Sequence, residues 1–459
     1  MPDMVSIQMI AATTDFRFLT RREFSARTLL ALACSFVPTF TDHRRSSIHQ
    51  PRIGAVTTGS ALIKARVEGE VPQLLLSEDA RAQNARSVAG QRREGSNIAE
   101  FSIDELKPGT EYVYGFSAQP GAGGEAEGRF RTLPEGAASF RFAFASCAQT
   151  GSEHEVFKTI SRCDPLFFLQ VGDLHYRNIN QNDRALFRDA YSEVFGSRAQ
   201  GALYANVPLI YVWDDHDFGP NNSDRFAPGR TASRLTYQEC VPHYPLAFGA
   251  GDIPICHAFS VGRVRFLVTD LRSERSPAKS PDYPGKTMLG TAQKEWLKRE
   301  LLAAKSKFAL IFWVSSVPWT GMSQTGDGWA AFPTERQEIA DFVKLNGIRN
   351  LCLLCGDAHM LGADDGRNGD FAIGGGAPLP SLQAAPLDRR ASFKGGPYSH
   401  GYYLPERGEG CFGLVELHDD GREINVFFTG RNHRDEKKVG LSFTVAEDGV
   451  LRCSPPPHK

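Results

Sequence analysis

The sequence predicts an α/β sandwich standing behind a small all-β domain, and three observations lead there. Up to about residue 134 the chain reads as short alternating strands between polar and glycine-rich turns, with no helical periodicity. From Phe140 onward, buried apolar runs alternate with amphipathic helical segments. Cysteine, aspartate, tyrosine and histidine residues then cluster just past the ends of four of those runs, the edge at which open α/β sheets hold their ligands.

In chain order, residues 1–45 read as a leader. Thr20-Arg21-Arg22-Glu23-Phe24 precedes a short apolar run over 28–40. This resembles a twin-arginine export signal, against the alternative of a chance arginine pair. It implies passage through the twin-arginine translocon, already folded, to the periplasm or the exterior. Ala31-Leu32-Ala33 fits a cleavage site, although the cut can also fall later, and Cys34 only loosely resembles a lipidation site. Residues 51–134 form the β-sandwich, with strands over 61–67 and 73–76. Leu106-Lys107-Pro108-Gly109-Thr110-Glu111-Tyr112 resembles the tyrosine corner of immunoglobulin-like and fibronectin type III sandwiches. Gly121-Ala122-Gly123-Gly124 is a turn or flexible loop, and Leu133-Pro134-Glu135-Gly136 a linker.

Residues 138–455 form the larger domain. Its strands are predicted over 140–145, 166–171, 209–213, 264–269, 308–314 and 351–354. Thr334 and Gln337 predict a capping box for a helix with Ile339, Phe342 and Val343 inward and Gly347 as its stop. Thr291 is expected to cap a helix that buries Trp296, Leu297 and Leu301. Asp420-Gly421 and Asp448-Gly449 predict two closing hairpins. There is no internal repeat.

With 459 residues and 41% apolar composition the chain can bury one large core plus a satellite domain. A formal charge of −1, from 52 basic and 53 acidic residues, supplies no basic field for nucleic acid, so any anion must be gripped locally. Nine cysteines are too few and scattered for a disulfide scaffold. No run approaches the roughly eighteen apolar residues of a membrane-spanning helix.

The chemistry lies in the joint pattern. Cys147 follows the first strand, Asp173 and Tyr176 the second, Asp214, Asp215 and His216 the third, and Asp357 and His359 the sixth. Singly, such residues are turns or core thiols; together they gather more carboxylates than an interior tolerates unless cations neutralise them.

Ser146-Cys147, Gly172-Asp173-Leu174-His175-Tyr176, Trp213-Asp214-Asp215-His216-Asp217 with Asn221-Asn222, and Gly356-Asp357-Ala358-His359 resemble the PhoD-like alkaline phosphatases of the calcineurin-like metallophosphoesterase superfamily. Thr287-Met288-Leu289-Gly290, Gln293, Trp296-Leu297 and Phe332-Pro333-Thr334-Glu335-Arg336 support the match. The resemblance implies a four-layer α/β/β/α catalytic domain behind a fibronectin type III-like one. It implies that Cys147, Asp173 and Tyr176 hold Fe3+, with Asp173 bridging, and that His359 ligates beside the iron. Asp215, Asp357 and Asn222 are implied to hold one or two Ca2+, with Mn2+, Mg2+ or Zn2+ as alternatives. Val314 leads into Ser315 and Ser316 rather than the further histidine usual in the superfamily, so the second site is poor in nitrogen. The implied activity is hydrolysis of small phosphate esters: cations clamp the phosphoryl oxygens and acidify a water for in-line attack.

His216 is expected to stabilise the transition state or protonate the leaving alkoxide, or else only to orient Asp215. Asp214 and Asp217 are expected to support the ligands, and Arg272 to contact substrate phosphate or form a surface ion pair. His175 departs from the aromatic residue the family often carries there and is expected to alter the pocket. Cys352-x-x-Cys355 lies in a buried strand and reads as core thiols rather than a redox pair. Gly374-Gly375-Gly376, after a strand over 371–373, reads as an active-site turn. Trp313, Trp319 and Trp329 either wall the pocket or fill the core. Mono-, di- and triesters, phospholipids included, remain open as substrates. A non-catalytic surface binding protein is the rival from another class.

Overall fold

A computed structural model describes residues 47–79, 85–117, 127–323 and 326–456. The expected leader, its arginine pair and Cys34 lie outside the described residues, as does the 121–124 glycine run.

The period-2 segments form β1 (Ser47–Gly54), β2 (Ala61–Glu68), β3 (Gln73–Ser77), β4 (Arg86–Ala89), β5 (Gln91–Arg92), β6 (Ile98–Ile103), β7 (Glu111–Ser117) and β8 (Gly128–Arg131). They divide into β1-β2-β6-β5 and β4-β3-β7-β8, and their apolar residues, among them Ile63, Phe101, Leu74 and Tyr114, are buried together. Tyr112 is buried, and its hydroxyl accepts from the Lys107 N–H at 2.9 Å, the corner contact its sequence context predicts.

The later strands are β9 (Phe140–Ala145), β10 (Phe168–Val171), β11 (Leu209–Val212), β12 (His257–Val261), β13 (Val264–Val268), β14 (Leu310–Ser315), β15 (Leu351–Cys355), β16 (Leu361–Asp364), β17 (Ser381–Ala384), β18 (Tyr402–Tyr403), β19 (Cys411–Asp419), β20 (Ile424–Asn432), β21 (Lys437–Val445) and β22 (Leu451–Cys453). The helices are α1 (Val156–Arg162), α2 (Arg184–Gly196), α3 (Gln200–Asn206), α4 (Asp215–Phe218), α5 (Arg230–Cys240), α6 (Thr291–Ala304) and α7 (Pro333–Leu345). One sheet runs β22-β21-β20-β19-β9-β10-β11-β1-β2-β6-β5, and another β12-β13-β14-β15-β17-β16-β18. The parallel runs β9-β10-β11 and β13-β14-β15-β17 lie at their centres.

Phe142 of β9 meets Phe266 of β13 and Phe312 of β14 edge-on, at 5.4 and 5.6 Å, so the two sheets face each other across an aromatic core. Alternation then divides β14 and β15. Phe312, Cys352 and Leu354 join that core, whereas Ile311, Trp313, Leu353 and Cys355 pack on the other face with Leu297 and Leu301 of α6 and Ile339 and Val343 of α7. Cys352 and Cys355 thus point into different cores.

The front strands are not a detached bead. β1 pairs with β11 in parallel at Gly54↔Leu209. A Cβ on Gly54 would lie 2.7 Å from the Leu209 carbonyl oxygen, so only glycine permits this approach. Arg52 Nε donates to the Cys240 carbonyl at 2.7 Å, and Lys64 Nζ to the Gln238 carbonyl at 2.8 Å. Two cations from β1 and β2 therefore satisfy the open carbonyls at the C-terminus of α5.

Two expected caps are not formed. α6 begins after Gly290, at φ 74°, with Thr291 inside the helix. α7 follows Phe332 with Pro333 at its start, and the Thr334 hydroxyl goes to Asp282 (2.5 Å) instead. A proline's fixed φ and missing N–H suit a first helical turn, which makes a side-chain cap dispensable. Gly347, at φ 59°, lies just beyond the Asn346 cap, as expected. Residues 371–373 are not a strand; the Asp370 carboxylate closes a turn by accepting from the N–H groups of Gly376 and Ala377.

Candidate metal centre

Strands β9, β10, β11 and β15 end side by side, and the chain turns sharply at each end. Cys147 (φ 65°), Asp173 (53°), Asn222 (60°), Asp357 (63°) and His359 (51°) all have left-handed backbone. Non-glycine residues in that region cost on the order of 1 kcal/mol each and cluster where a fold holds functional groups against local preference. Gly172 and Gly356 allow the turns to meet. A Cβ on Gly172 would sit 2.5 Å from Asp214 Cβ, and one on Gly356 2.3 Å from the Val171 carbonyl oxygen.

Ligand atoms of Cys147, Asp173 and His359 lie within 4.8 Å of one another, and so do those of Asp173, Asp215 and His216. Asp173 belongs to both groups. The Tyr176 hydroxyl is 2.7 Å from Asp173 Oδ2 and 3.0 Å from His359 Nε2. His359 Nδ1 is 2.7 Å from the Arg390 carbonyl, which can only accept, so Nδ1 carries the proton and Nε2 offers a lone pair. One phenol proton therefore serves two acceptors, with the Cys147 sulfur close by.

Burial, reinforced by Asp215 and Asp214, pushes Asp173 well above the usual carboxylate range. Burial and the Asp173 charge push both the Cys147 thiol and the Tyr176 phenol up. Asp215 Oδ1 and Asp357 Oδ2 are buried without a hydrogen-bond partner. A surplus of buried lone pairs, two of them orphaned, is the arrangement a cation resolves. The residues fit such an ion: thiolate, phenolate, carboxylate and imidazole on one side of Asp173, and the Asp215 carboxylate with the His216 imidazole on the other.

Not every predicted residue contributes equally. Asp357 lies outside both groups; its Oδ1 pairs with Lys394 Nζ at 2.5 Å, and burial lifts it to about 6 against that pairing. Asn222 donates its backbone N–H to Asp215 Oδ2 at 2.6 Å, while the residue itself is exposed at the rim of a cleft. Burial alone would raise Asp215, yet Arg272, His216 and the Asn222 N–H outweigh it and hold the carboxyl at about 2. The imidazole of His216 stacks over Tyr176 at 4.0 Å, and its Nδ1 donates to Asn178 Oδ1 at 2.7 Å, leaving Nε2 free for chemistry.

Arg272 is neither on the surface nor open to a substrate. Fully buried, it holds Asp214 through Nε (2.7 Å) and Nη2 (2.8 Å), and Asp327 through Nη2 (2.6 Å). The grouping of Asp214, Asp215 and Asp327 is therefore already supplied with a cation. Asp217 accepts from the Asp214 and Leu174 N–H groups and the Tyr211 hydroxyl, fixing the turn from behind. The ring of His175 is buried edge-on against Tyr191, away from the cleft. Trp313, Trp319 and Trp329 are fully buried and packed edge-to-face on one another, so they fill core. Gly374-Gly375-Gly376 lies beside Lys344 of α7, not at the centre.

A cleft of about 640 Å³ adjoins the centre, lined by Asp327, Asp357 and Lys394 and by the apolar Pro277, Pro318 and Phe393 among others. Lys394, Asp327 and Asn178 escaped sequence reasoning because each comes from a loop with no ligand spacing of its own.

The sequence profile of the PhoD-like phosphatases matches residues 142–374, half of the chain, and the chain belongs to that family. Among individual relatives, alkaline phosphatase D of Bacillus subtilis (strain 168) is 24% identical over 331 residues, covering 58% of this chain and 55% of that one. The chain thus spans just over half the length of that relative. Human tartrate-resistant acid phosphatase type 5 is 21% identical over 287 residues, 62% of this chain and 82% of that protein. The solved structure of PhoD superposes with a TM-score of 0.68 at 18% identity, covering 89% of this chain and 92% of that one, which establishes a shared fold.

Proposed function

We propose that this chain hydrolyses phosphate esters with the help of metal ions. The observation that carries the reading is Asp173, shared between two ligand groups whose lone pairs exceed the protons available to them. Cys147, Asp173, Tyr176 and His359 would hold one cation, Fe3+ by donor chemistry; Asp173, Asp215, Asp357 and Asn222 would hold one or two more, Ca2+ ahead of Mn2+, Mg2+ or Zn2+. Bound there, the ions would supply Lewis acidity, neutralising phosphoryl oxygens and acidifying an attacking water. The chain's own part is positional. Arg272, Asp214 and Asp217 fix the α4 turn, and that turn aims His216; with Nδ1 held by Asn178, its imidazolium form, protonated from solvent, would carry at Nε2 the proton given to the departing alkoxide. The apolar walls beside Lys394 favour esters with an apolar arm, which keeps phosphodiesters and phospholipids within the reading. The twin-arginine resemblance at Arg21-Arg22 supports export to the periplasm or beyond. The sheet partition and the Tyr112 corner support a fibronectin type III-like domain over 51–134, ahead of a four-layer catalytic domain over 138–455.

Elemental analysis and hydrolysis of bis-p-nitrophenyl phosphate test the reading together. Purified protein should contain iron, show visible absorption from its thiolate and phenolate ligands, and lose activity to a chelator. Asp173→Ala should lose both metal and at least ~10³-fold in rate, about 4 kcal/mol of transition-state stabilisation. Metal-replete protein with no activity, or an unchanged Asp173→Ala, would refute it.

A further inference from the structure

A second cleft, of about 680 Å³, borders the centre on the side of Tyr176 and His359, and its lining is basic. It is lined by Arg389, Arg390 and Arg407, against the single acidic residue Asp388. That carboxylate is already engaged, accepting from the Gln149 N–H and the Ser152 hydroxyl, each at 2.5 Å. Among the described residues, no carboxylate lies within ion-pair distance of any of the three arginines. In a chain of net charge −1, three arginines without a carboxylate partner around one hollow are a local concentration of positive charge. Arg390 and Arg407 are exposed to solvent and Arg389 is half-buried, so an anion entering from water is attracted to the hollow.

The cleft is tied to the candidate centre by two contacts. The Arg389 guanidinium lies 4.0 Å above the Tyr176 ring and donates to Gln149 Oε1, while its buried Nε has no partner. The Arg390 carbonyl fixes the tautomer of His359. One backbone segment therefore both orients a candidate ligand and lines the cleft.

We infer that this cleft is a subsite for a second phosphate on the same substrate, so that polyphosphorylated esters are preferred over esters with a single phosphate. Guanidinium forks match the oxygens of a phosphate dianion, and the scissile phosphate would occupy the centre itself. The inference rests on the phosphoesterase reading, and the test separates the two. Initial rates of phosphate release from fructose 1,6-bisphosphate and fructose 6-phosphate should give KM about tenfold lower for the bisphosphate. In Arg390→Gln/Arg407→Gln that ratio should fall to within about twofold, whereas Arg422→Gln, which removes an exposed charge elsewhere, should retain it. A ratio near one in the unaltered protein, or one that survives in the double variant, overturns the subsite. If neither sugar phosphate nor bis-p-nitrophenyl phosphate is hydrolysed, the phosphoesterase reading fails. Both sugar phosphates then serve as stable ligands for calorimetry. A bisphosphate preference in Kd that disappears in the double variant upholds the subsite, and equal affinities overturn it.

Discussion

His216 is fixed by neighbours of different kinds: its Nδ1 proton is committed to Asn178, and its ring lies on Tyr176. If Nε2 delivers the leaving-group proton, His216→Asn should lower kcat by ~10²- to 10⁴-fold while the metal content stays unchanged. Loss of metal in parallel with activity would make it a ligand instead. Most of the candidate ligands are legible because they follow closely on an apolar run, and a strand end leaves few places for the next residues to go; Asn222, beyond β11 and α4, is legible only through the family resemblance. Lys394 and Asn178 are not legible. Lys394 reaches Asp357 from 37 residues away in sequence, across a fold that local spacing does not encode. Arg272 was legible as a site residue but not in its role, because only burial distinguishes a cation that serves a carboxylate pair from one that waits for substrate.

At the scale of elements, the buried apolar runs specify the central strands well, and β13, β14 and β15 each lie within a residue or two of their predicted limits. Helix starts were read less well. A threonine ahead of an apolar stripe is a cap only if its hydroxyl turns back, and Thr334 finds Asp282 first. The Tyr112 corner was readable because it depends on residues five apart. Tyr112→Phe should remove one hydrogen bond and lower stability by about 1 kcal/mol in urea titration; no change would mean that the contact is idle. Arg272→Met should cost about 3–5 kcal/mol, since it leaves Asp214 and Asp327 buried without a counter-charge. A loss below about 1 kcal/mol would show that water enters the network.

Over the whole molecule, buried neutral histidines contribute to the response to acid. Burial lowers His257, which lies away from the candidate centre, to about 4, against 6.5 in its unfolded state. As pH falls below about 6.5 the unfolded chain takes up a proton that the folded chain refuses, so stability declines down to about pH 4 and then levels off. The decline from this residue is on the order of 3 kcal/mol. His257→Leu should flatten that stretch of a stability-versus-pH profile. An identical slope in the variant would assign the acid sensitivity to other groups.

The way α5 ends has a bearing on the history of the chain. Its final carbonyls draw their positive partners from Arg52 and Lys64, more than 170 residues earlier. A polypeptide begun at residue 138 would start life with a frayed helix and a bare strand margin on β11, inviting self-association. The front strands are therefore expected to be inherited together with the rest of the chain, and exchanging them for an unrelated domain should yield insoluble protein.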